Sequence, residues 1–303
     1  MSRRKISEAV KKSVILISDG AWGTLLYKKG LVPGQCPELW NIDHYEEVKS
    51  IARDYIDAGA DMIETNSLGG NVFKLSHYKL GDRVSEINEA AARISRDAAG
   101  GKIWVIASLG PTGLMLITQD VTTEEMYDAF KVQAAALEKG GADAICIETM
   151  SDVDEAVLAI RAVKENTGCE IICTFTFGKT VRGDYRTIMG ASPEETARAA
   201  IEAGADIIGA NCGNGMEDMI EIVKAMRKIT SDVPILVQAN AGIPENIGGI
   251  AIFPESPSDM ARYVDDIITA GANIIGGCCG TTPAHIAAIK KAVSDYSGRK
   301  TID

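Results

Sequence analysis

The sequence predicts a single (β/α)8 barrel, a fold in which eight parallel strands alternate with eight helices. One observation is a phrase that occurs four times and combines a helix end, a glycine and a short apolar run. Its copies occupy 58–65, 140–149, 203–211 and 270–278. A second observation is that four more apolar runs alternate with these copies, at 14–19, 103–109, 171–177 and 235–240. The runs are too far apart for hairpins, and eight regular units favour a barrel over an open doubly wound sheet.

Each predicted strand is followed by a helical pattern, and residues 1–12 predict one further helix that closes the bottom of the barrel. The eight helices are expected at 45–58, 82–99, 123–139, 152–166, 192–203, 217–229, 257–270 and 283–295. Capping boxes are expected at 122–125, 151–154, 192–195 and 256–259. Long loops follow strands one, five and seven, on the face where barrel enzymes bind substrates. Because no linker or change of composition divides the chain, residues 1–303 are predicted to form one domain.

Composition and charge argue against several classes of function. The 303 residues carry a formal net charge of −11, which argues against nucleic acid and anionic membranes as partners. The sequence shows neither a signal peptide nor a run of about 20 apolar residues, so a cytoplasmic protein is expected. Seven cysteines, an odd number in a long chain, do not suggest a disulfide framework. Cys36 stands in a loop and has no assigned role.

Three other cysteines stand where predicted strands end. Cys212 follows the sixth strand, and the adjacent Cys278 and Cys279 follow the eighth. Because the strand ends of a barrel meet at one face, we expect these three thiolates to bind one zinc ion and to leave one coordination position open. An open position is typical of catalytic zinc. Asn240, at the end of the seventh strand, is a candidate for a displaceable fourth ligand when substrate is absent.

A zinc ion held by three thiolates favours sulfur chemistry. Zinc stabilises a bound thiolate, so a substrate thiol can lose its proton near neutral pH. Three cysteinates leave the site negatively charged, which keeps a bound substrate sulfur electron-rich. The expected reaction is therefore attack by sulfur on a small electrophile, most simply a methyl group.

Polar groups at the other strand ends suit an amino acid. Asp19 and Glu148 are carboxylates that could hold an ammonium group. The backbone N–H groups of Gly20 and Ala21 could hold a carboxylate. Further candidates for substrate contact are Asn66, Ser108, Thr176 and Asn211.

Several motifs resemble the zinc-dependent homocysteine S-methyltransferase family, from about residue 13 to 295. They are Asp19-Gly-Ala-x-Gly-Thr, Glu64-Thr-Asn, Ser108-Leu-Gly-Pro-Thr-Gly, Glu148-Thr-Met, Gly209-Ala-Asn-Cys and Gly276-Gly-Cys-Cys-Gly-Thr-Thr-Pro. The phrases Val237-Gln-Ala-Asn-Ala-Gly and Arg186-Thr-x-x-Gly-x-Ser-Pro-Glu are similar to the homocysteine-binding barrel of cobalamin-dependent methionine synthase. The resemblance implies zinc on Cys212, Cys278 and Cys279. It also implies that homocysteine binds as a zinc thiolate, with its amine held by Asp19 and Glu148, and that methionine is the product.

The resemblance and the absence of a recognisable cobalamin domain lead us to expect methylcobalamin or another methyl-corrinoid as donor, supplied in trans by a partner protein. S-methylmethionine or betaine as donor, or another thiol as acceptor, are alternatives with the same chemistry. Leu68 stands where family members often have an aromatic residue, and the clustered aromatic candidates for a cage around a quaternary ammonium donor are Trp22, Tyr27 and Trp40. An alternative from a different class is a barrel lyase with structural cysteines, but none of the eight strand ends carries a lysine.

Overall fold

The eight predicted strands form one parallel sheet in the computed structural model, which describes residues 4–10, 14–248 and 250–300. The strands are β1 (Leu16–Ile17), β2 (Met62–Ile63), β3 (Trp104–Leu109), β4 (Ala144–Met150), β5 (Glu170–Phe175), β6 (Ile207–Asn211), β7 (Ile235–Ala239) and β8 (Ile274–Gly277). They pair in the order β1-β8-β7-β6-β5-β4-β3-β2. β1 and β2 meet through Asp61, whose N–H donates to the Ile17 carbonyl at 2.8 Å. The sheet is therefore a nearly closed barrel, and the predicted fold class is confirmed.

The sequence motif that occurs four times joins the strands in pairs. Its glycine ends the preceding helix in a left-handed conformation, as at Gly141 and Gly204. Its acidic or amide side chain then accepts an N–H of the previous strand, at 2.9 or 3.0 Å. These pairs are Asp61 with Ile17, Asp143 with Val105, Asp206 with Ile171 and Asn273 with Ile235. The repeat therefore fixes the relative position of β1 and β2, β3 and β4, β5 and β6, and β7 and β8.

The helices on the outside of the sheet lie close to their predicted positions. They are Tyr45–Asp57, Val84–Ala99, Thr123–Gly140, Val153–Asn166, Pro193–Ala203, Met216–Arg227, Pro257–Ala261, Val264–Ala270 and Pro283–Lys300. The prediction of one helix at 257–270 was wrong, since two helices occupy this stretch. The N–H of Tyr263 bonds to the Met260 carbonyl at 3.2 Å, a tight turn that ends the first of them.

Three of the four predicted capping boxes are confirmed, and they begin at Thr122, Ser192 and Ser256. The box predicted at 151–154 is wrong. Asp152 is the N-cap there, and its carboxylate accepts the N–H of Asp154 at 2.9 Å. Aspartate caps a helix as well as serine does, and Asp152 stands one residue nearer the helix.

A short helix at Ile6–Val10 closes the N-terminal end of the barrel. Ile6 is fully buried and belongs to a cluster of interior side chains that includes Trp104. The carboxylate of Glu170, at the start of β5, accepts the Ile6 N–H. The helix predicted at 1–12 is thus present in part, and its first three and last two positions lie outside the described residues.

The loops at the opposite end are long and contain small elements of their own. Short helices span Gly23–Lys28, Trp40–Asp43 and Val72–Ser76, and 3₁₀ turns span Gly81–Arg83 and Leu116–Thr118. Two antiparallel hairpins pair Gly178–Lys179 with Tyr185–Arg186, and Glu245–Ile247 with Ile250–Ile252. Within the part of the chain that the structure describes, no helix has the length and apolar character needed to cross a membrane.

Candidate active site

The three cysteines predicted to bind zinc lie together at the carboxyl ends of the strands. Cys212 follows β6, Cys278 and Cys279 follow β8, and their sulfur atoms all lie within 4.8 Å of one another. The Sγ atoms of Cys212 and Cys279 are 3.8 Å apart. Backbone bonds hold this geometry on β7, since Cys212 donates to the Gln238 carbonyl at 3.0 Å and Cys278 to the Ala239 carbonyl at 2.7 Å. Cys212 also has a left-handed backbone, with φ of 59°, which is uncommon for a residue other than glycine.

The three thiols stabilise one negative charge among them. Hydrogen bonds from Cys278 and from Cys279 lower the pKa of the Cys212 thiol to about 3. In turn, the hydrogen bond to the Cys212 thiolate raises the pKa of Cys278 well above the ordinary thiol value and that of Cys279 to about 12. A nearby cation favours thiolates, so a metal ion would allow all three groups to ionise together.

Asn240 lies beside this cluster and has an unsatisfied oxygen. Its side chain makes a hydrogen bond to Cys212, and its backbone N–H donates to the Asn214 carbonyl at 2.9 Å. The Oδ1 atom is buried and has no hydrogen-bond partner among the described residues. Because the oxygen and nitrogen of an amide differ little in shape, a rotated side chain would direct Oδ1 at the sulfurs. Three thiolates and one amide oxygen are a donor set that fits zinc.

A cavity of about 260 Å³ opens beside the cysteines. Of the predicted site residues, its lining includes Gly20, Ala21, Asn66, Ser108, Glu148, Cys212, Cys278 and Cys279. Asp19 and Asn240 do not belong to the lining, and both are buried behind it. The structure therefore brings most of the predicted set around one space, with sulfurs and a carboxylate on its walls.

Glu148 is the predicted carboxylate that faces the cavity. One of its oxygens accepts the Ser108 hydroxyl, and the other accepts Nδ2 of Asn211 at 3.1 Å. Asn211 is itself held by the Thr174 hydroxyl at 2.8 Å, so the carboxylate has a fixed orientation. Burial raises the pKa of Glu148 to about 7. A buried carboxylate of this kind ionises most easily when a cation lies against it.

Asp19 lies behind the wall and organises the groups in front of it. Its Oδ2 accepts the Trp22 indole N–H at 2.9 Å and the Glu64 N–H at 2.8 Å. Burial raises its pKa to about 7. The Ala21 N–H, predicted to hold a carboxylate, already donates to Thr281 Oγ1 at 3.0 Å. Direct contact of Asp19 or the Ala21 N–H with substrate stays a prediction, and it would require these partners to be exchanged.

Asn66 links two loops at the rim of the cavity. Its Nδ2 donates to the Pro37 carbonyl at 2.7 Å and to Asn41 Oδ1 at 3.1 Å. Both acceptors belong to the long loop after β1, so Asn66 holds that loop over the site. Its amide nitrogen is thereby engaged within the protein.

The lining residues that were not predicted as site candidates include Glu38, Glu64, Thr149 and Gln238. Glu64 stands in the Glu64-Thr-Asn motif directly after β2, and Gln238 belongs to β7. A rule that took every polar residue at a strand end as a candidate would have found both. Thr149 follows Glu148 with a left-handed φ of 60°, for which the sequence gives no signal.

Comparison with known proteins agrees with this architecture. The family described as homocysteine S-methyltransferase matches residues 16–293. Methionine synthase of Mycobacterium tuberculosis is 32% identical over 299 residues, which cover 93% of this chain and 25% of that protein. Methionine synthase of Mycobacterium leprae is 32% identical over 298 residues, with coverage of 92% and 24%. The chain thus spans about a quarter of the length of these curated relatives.

A solved structure has the same fold. The metallated form of the homocysteine methyltransferase MmuM from Escherichia coli superimposes with a TM-score of 0.75 at 22% sequence identity. The match covers 94% of this chain and 98% of that chain. The family match, which includes nearly the whole barrel, confirms the resemblance predicted from the motifs and the enzyme class. The chain belongs to the homocysteine S-methyltransferase family of methyltransferase enzymes.

Proposed function

We propose that residues 1–303 act as one barrel that methylates the sulfur of homocysteine to give methionine, with zinc as cofactor. The observation that carries this proposal is the cluster of three sulfurs within 4.8 Å of one another beside a cavity lined by carboxylates. The family match supports methyl transfer to homocysteine. The competing idea of a lyase with structural cysteines gains no support, since no lysine lines the cavity among the described residues.

The chain's own residues would prepare the site in three ways. Cys212, Cys278 and Cys279 would hold zinc, with the Asn240 oxygen as a ligand that a substrate sulfur can displace. Zinc, when bound, stabilises the thiolate form of the incoming thiol. Glu148, fixed by Ser108 and Asn211, would hold the substrate ammonium.

Residues at the ends of β1 and β2 would orient the rest of the substrate. Asp19 positions the Trp22 indole and the end of β2, and we retain it as a proposed partner of the amine. The N–H of Gly20 would hold the substrate carboxylate. The N–H of Ala21 would join it once the substrate carboxylate has replaced Thr281 Oγ1 as its acceptor. Asn66 keeps the loop after β1 over the cavity, which limits the access of water to the reacting sulfur.

For the methyl donor we propose a methyl-corrinoid presented by a partner protein. The similarity to the methionine synthase barrels supports this choice. A second support is a rim of exposed apolar side chains on loops at the same end of the barrel as the cavity mouth. They are Val32, Leu68, Met115, Ile117, Val181, Ile188, Met189, Ile243 and Ile252. Exposed apolar side chains on several loops at one end of a barrel suit a protein partner better than a small molecule.

The structure offers less support for betaine or S-methylmethionine. Of the three aromatic residues considered for a cage, Trp22 lines the cavity. Trp40 is buried and stacks on His44 with ring centroids 4.1 Å apart, and Tyr27 is exposed outside the lining. One indole alone is a poor cage for a quaternary ammonium group.

We expect the zinc-loaded chain to form methionine from homocysteine and methylcobalamin, and to form none from homocysteine and betaine. The measurement is methionine produced with each donor in turn, including S-methylmethionine, by chromatography. Cys279→Ser serves as the control that should fail with every donor. If methionine formed only with S-methylmethionine or only with betaine, that compound would be the methyl donor and the proposed corrinoid donor would be wrong. Absence of methionine with all three donors and with a methylated corrinoid protein would contradict the proposed function.

A further inference from the structure

Glu64 has a feature that the other three buried carboxylates near the cavity, Asp19, Glu38 and Glu148, lack. It lines the cavity and is 8% exposed, and one of its oxygens accepts Nε2 of Gln238 at 2.7 Å. Its second oxygen has no hydrogen-bond partner among the described residues. Both oxygens of Glu148 and both oxygens of Glu38 accept hydrogen bonds, and Asp19 lies behind the wall with both oxygens engaged. Glu64 is therefore the acid among these four that has one oxygen without a hydrogen bond.

Gln238 offers a second available acceptor beside Glu64. It lines the same cavity and is 2% exposed, and its Nε2 also donates to the Ser18 hydroxyl at 3.3 Å. Its Oε1 is buried without a partner among the described residues. A buried amide oxygen without a hydrogen bond is costly, and it usually indicates an absent ligand or water. An ammonium group has three donors and no acceptor, which matches one oxygen from each of Glu64, Glu148 and Gln238.

The charge of the cavity also favours a ligand that carries an ammonium group. Glu38, Glu64 and Glu148 line it, and neither lysine nor arginine does so in the described chain. After burial itself, the neighbouring Glu148 charge is the main cause that raises the pKa of Glu64 well above its ordinary value. Two carboxylates in one small space repel each other unless a cation lies between them. Because no lysine or arginine lines the cavity, the ammonium group of a ligand is suited to supply that cation.

We infer that Glu64, braced by Gln238, is a substrate-binding residue that holds the ammonium group of the amino-acid thiol together with Glu148. The inference rests on the proposed function, because it assumes that the ligand is an amino acid whose thiol reaches the cysteines. It adds Glu64 to the amine contacts proposed for Glu148 and Asp19. Asp19 also holds the Glu64 backbone, since its Oδ2 accepts the Glu64 N–H at 2.8 Å.

The test compares homocysteine with 4-mercaptobutanoate, which has the same thiol and carboxylate but lacks the ammonium group. Dissociation constants for both are measured by calorimetry on the zinc-loaded protein. The unchanged protein should prefer homocysteine, and Glu64→Gln should reduce this preference about 10-fold or more, as expected for loss of a charged hydrogen bond. Binding of 4-mercaptobutanoate should change by less than about 3-fold. Glu155→Gln is the matched control, since Glu155 is a buried carboxylate that bonds to Thr112 outside this cavity.

The outcomes separate this inference from the proposed function. An unchanged preference in Glu64→Gln would overturn the role of Glu64, even though both thiols still bind. If neither thiol bound to the unchanged zinc-loaded protein, the proposed function itself would be wrong. A thermal unfolding scan of each variant establishes that it is folded. Should Glu64→Gln fail to fold, Gln238→Met replaces it, and the inference requires that this variant also reduce the preference for homocysteine.

Discussion

Cys278→Ser is expected to lose zinc and to abolish methyl transfer while the barrel stays folded. The substitution removes one of three sulfurs that lie within 4.8 Å of one another. Changes to groups that only support a metal ligand lower metal affinity by about 10- to 100-fold, so loss of a ligand should cost more than about 100-fold. Serine is slightly smaller than cysteine, and the backbone bond from Cys278 to the Ala239 carbonyl is retained. Zinc per chain, methionine formation and the unfolding temperature are the three measurements.

The matched control for that variant is Cys169→Ser. Cys169 is partly exposed, its Sγ contacts the Ala142 carbonyl at 3.5 Å, and it lies before β5, at the opposite end of the barrel from the cluster. This control should keep its zinc and its activity. Full zinc content and full activity in Cys278→Ser would contradict the assignment of the cluster as the metal site.

Homocysteine is expected to bind about 10- to 100-fold more weakly to Glu148→Gln, because the ammonium loses a charged hydrogen bond. The pH dependence should reveal the same contact. Burial raises the pKa of Glu148 to about 7, so the carboxyl group is mostly neutral below that pH and ionised above it. Only the ionised form attracts the ammonium fully, and binding should therefore strengthen as the pH rises through about 7. Asp19, whose burial raises its pKa to about 7, and Glu64 face the same region and contribute with the same sign.

Ionisation of the substrate thiol also strengthens binding as the pH rises, so a reference ligand is needed. 4-Mercaptobutanoate shares the thiol and lacks the ammonium group. The ratio of the two dissociation constants, measured by calorimetry from about pH 6 to about pH 8, isolates the contribution of the carboxylates. A ratio that is independent of pH and equal in the unchanged protein and Glu148→Gln would rule out Glu148 as the ammonium partner.

The cysteine cluster could be predicted because it depends on topology alone. Parallel strands of a barrel end at one face, so counting strands is enough to place Cys212 near Cys278 and Cys279. The fold was predictable for a similar reason. In each copy of the repeated motif, the aspartate or asparagine that follows the glycine accepts a hydrogen bond from the preceding strand. Neither conclusion requires the orientation of an individual side chain.

The roles of the acids could not be predicted because they depend on that orientation. β1 is two residues long, so alternation along the strand does not tell which way Asp19 points. The Trp22 indole and the Glu64 N–H direct its carboxylate into the seam between β1 and β2. Near the end of β4, the left-handed backbone at Thr149 turns the chain directly beyond Glu148. The surrounding structure imposes that backbone conformation on the threonine, so no pattern in the sequence indicates it.

The most direct test of the central claim is X-ray absorption at the zinc edge of the purified protein, with and without homocysteine. The proposed site predicts about one zinc per chain, bound by the three sulfurs of the cluster and one lighter atom. Addition of homocysteine should replace the lighter atom by a fourth sulfur. A zinc environment that contains the three sulfurs and does not change with homocysteine would contradict homocysteine as the acceptor. Failure to bind zinc under reducing conditions without chelators would contradict the metal site itself.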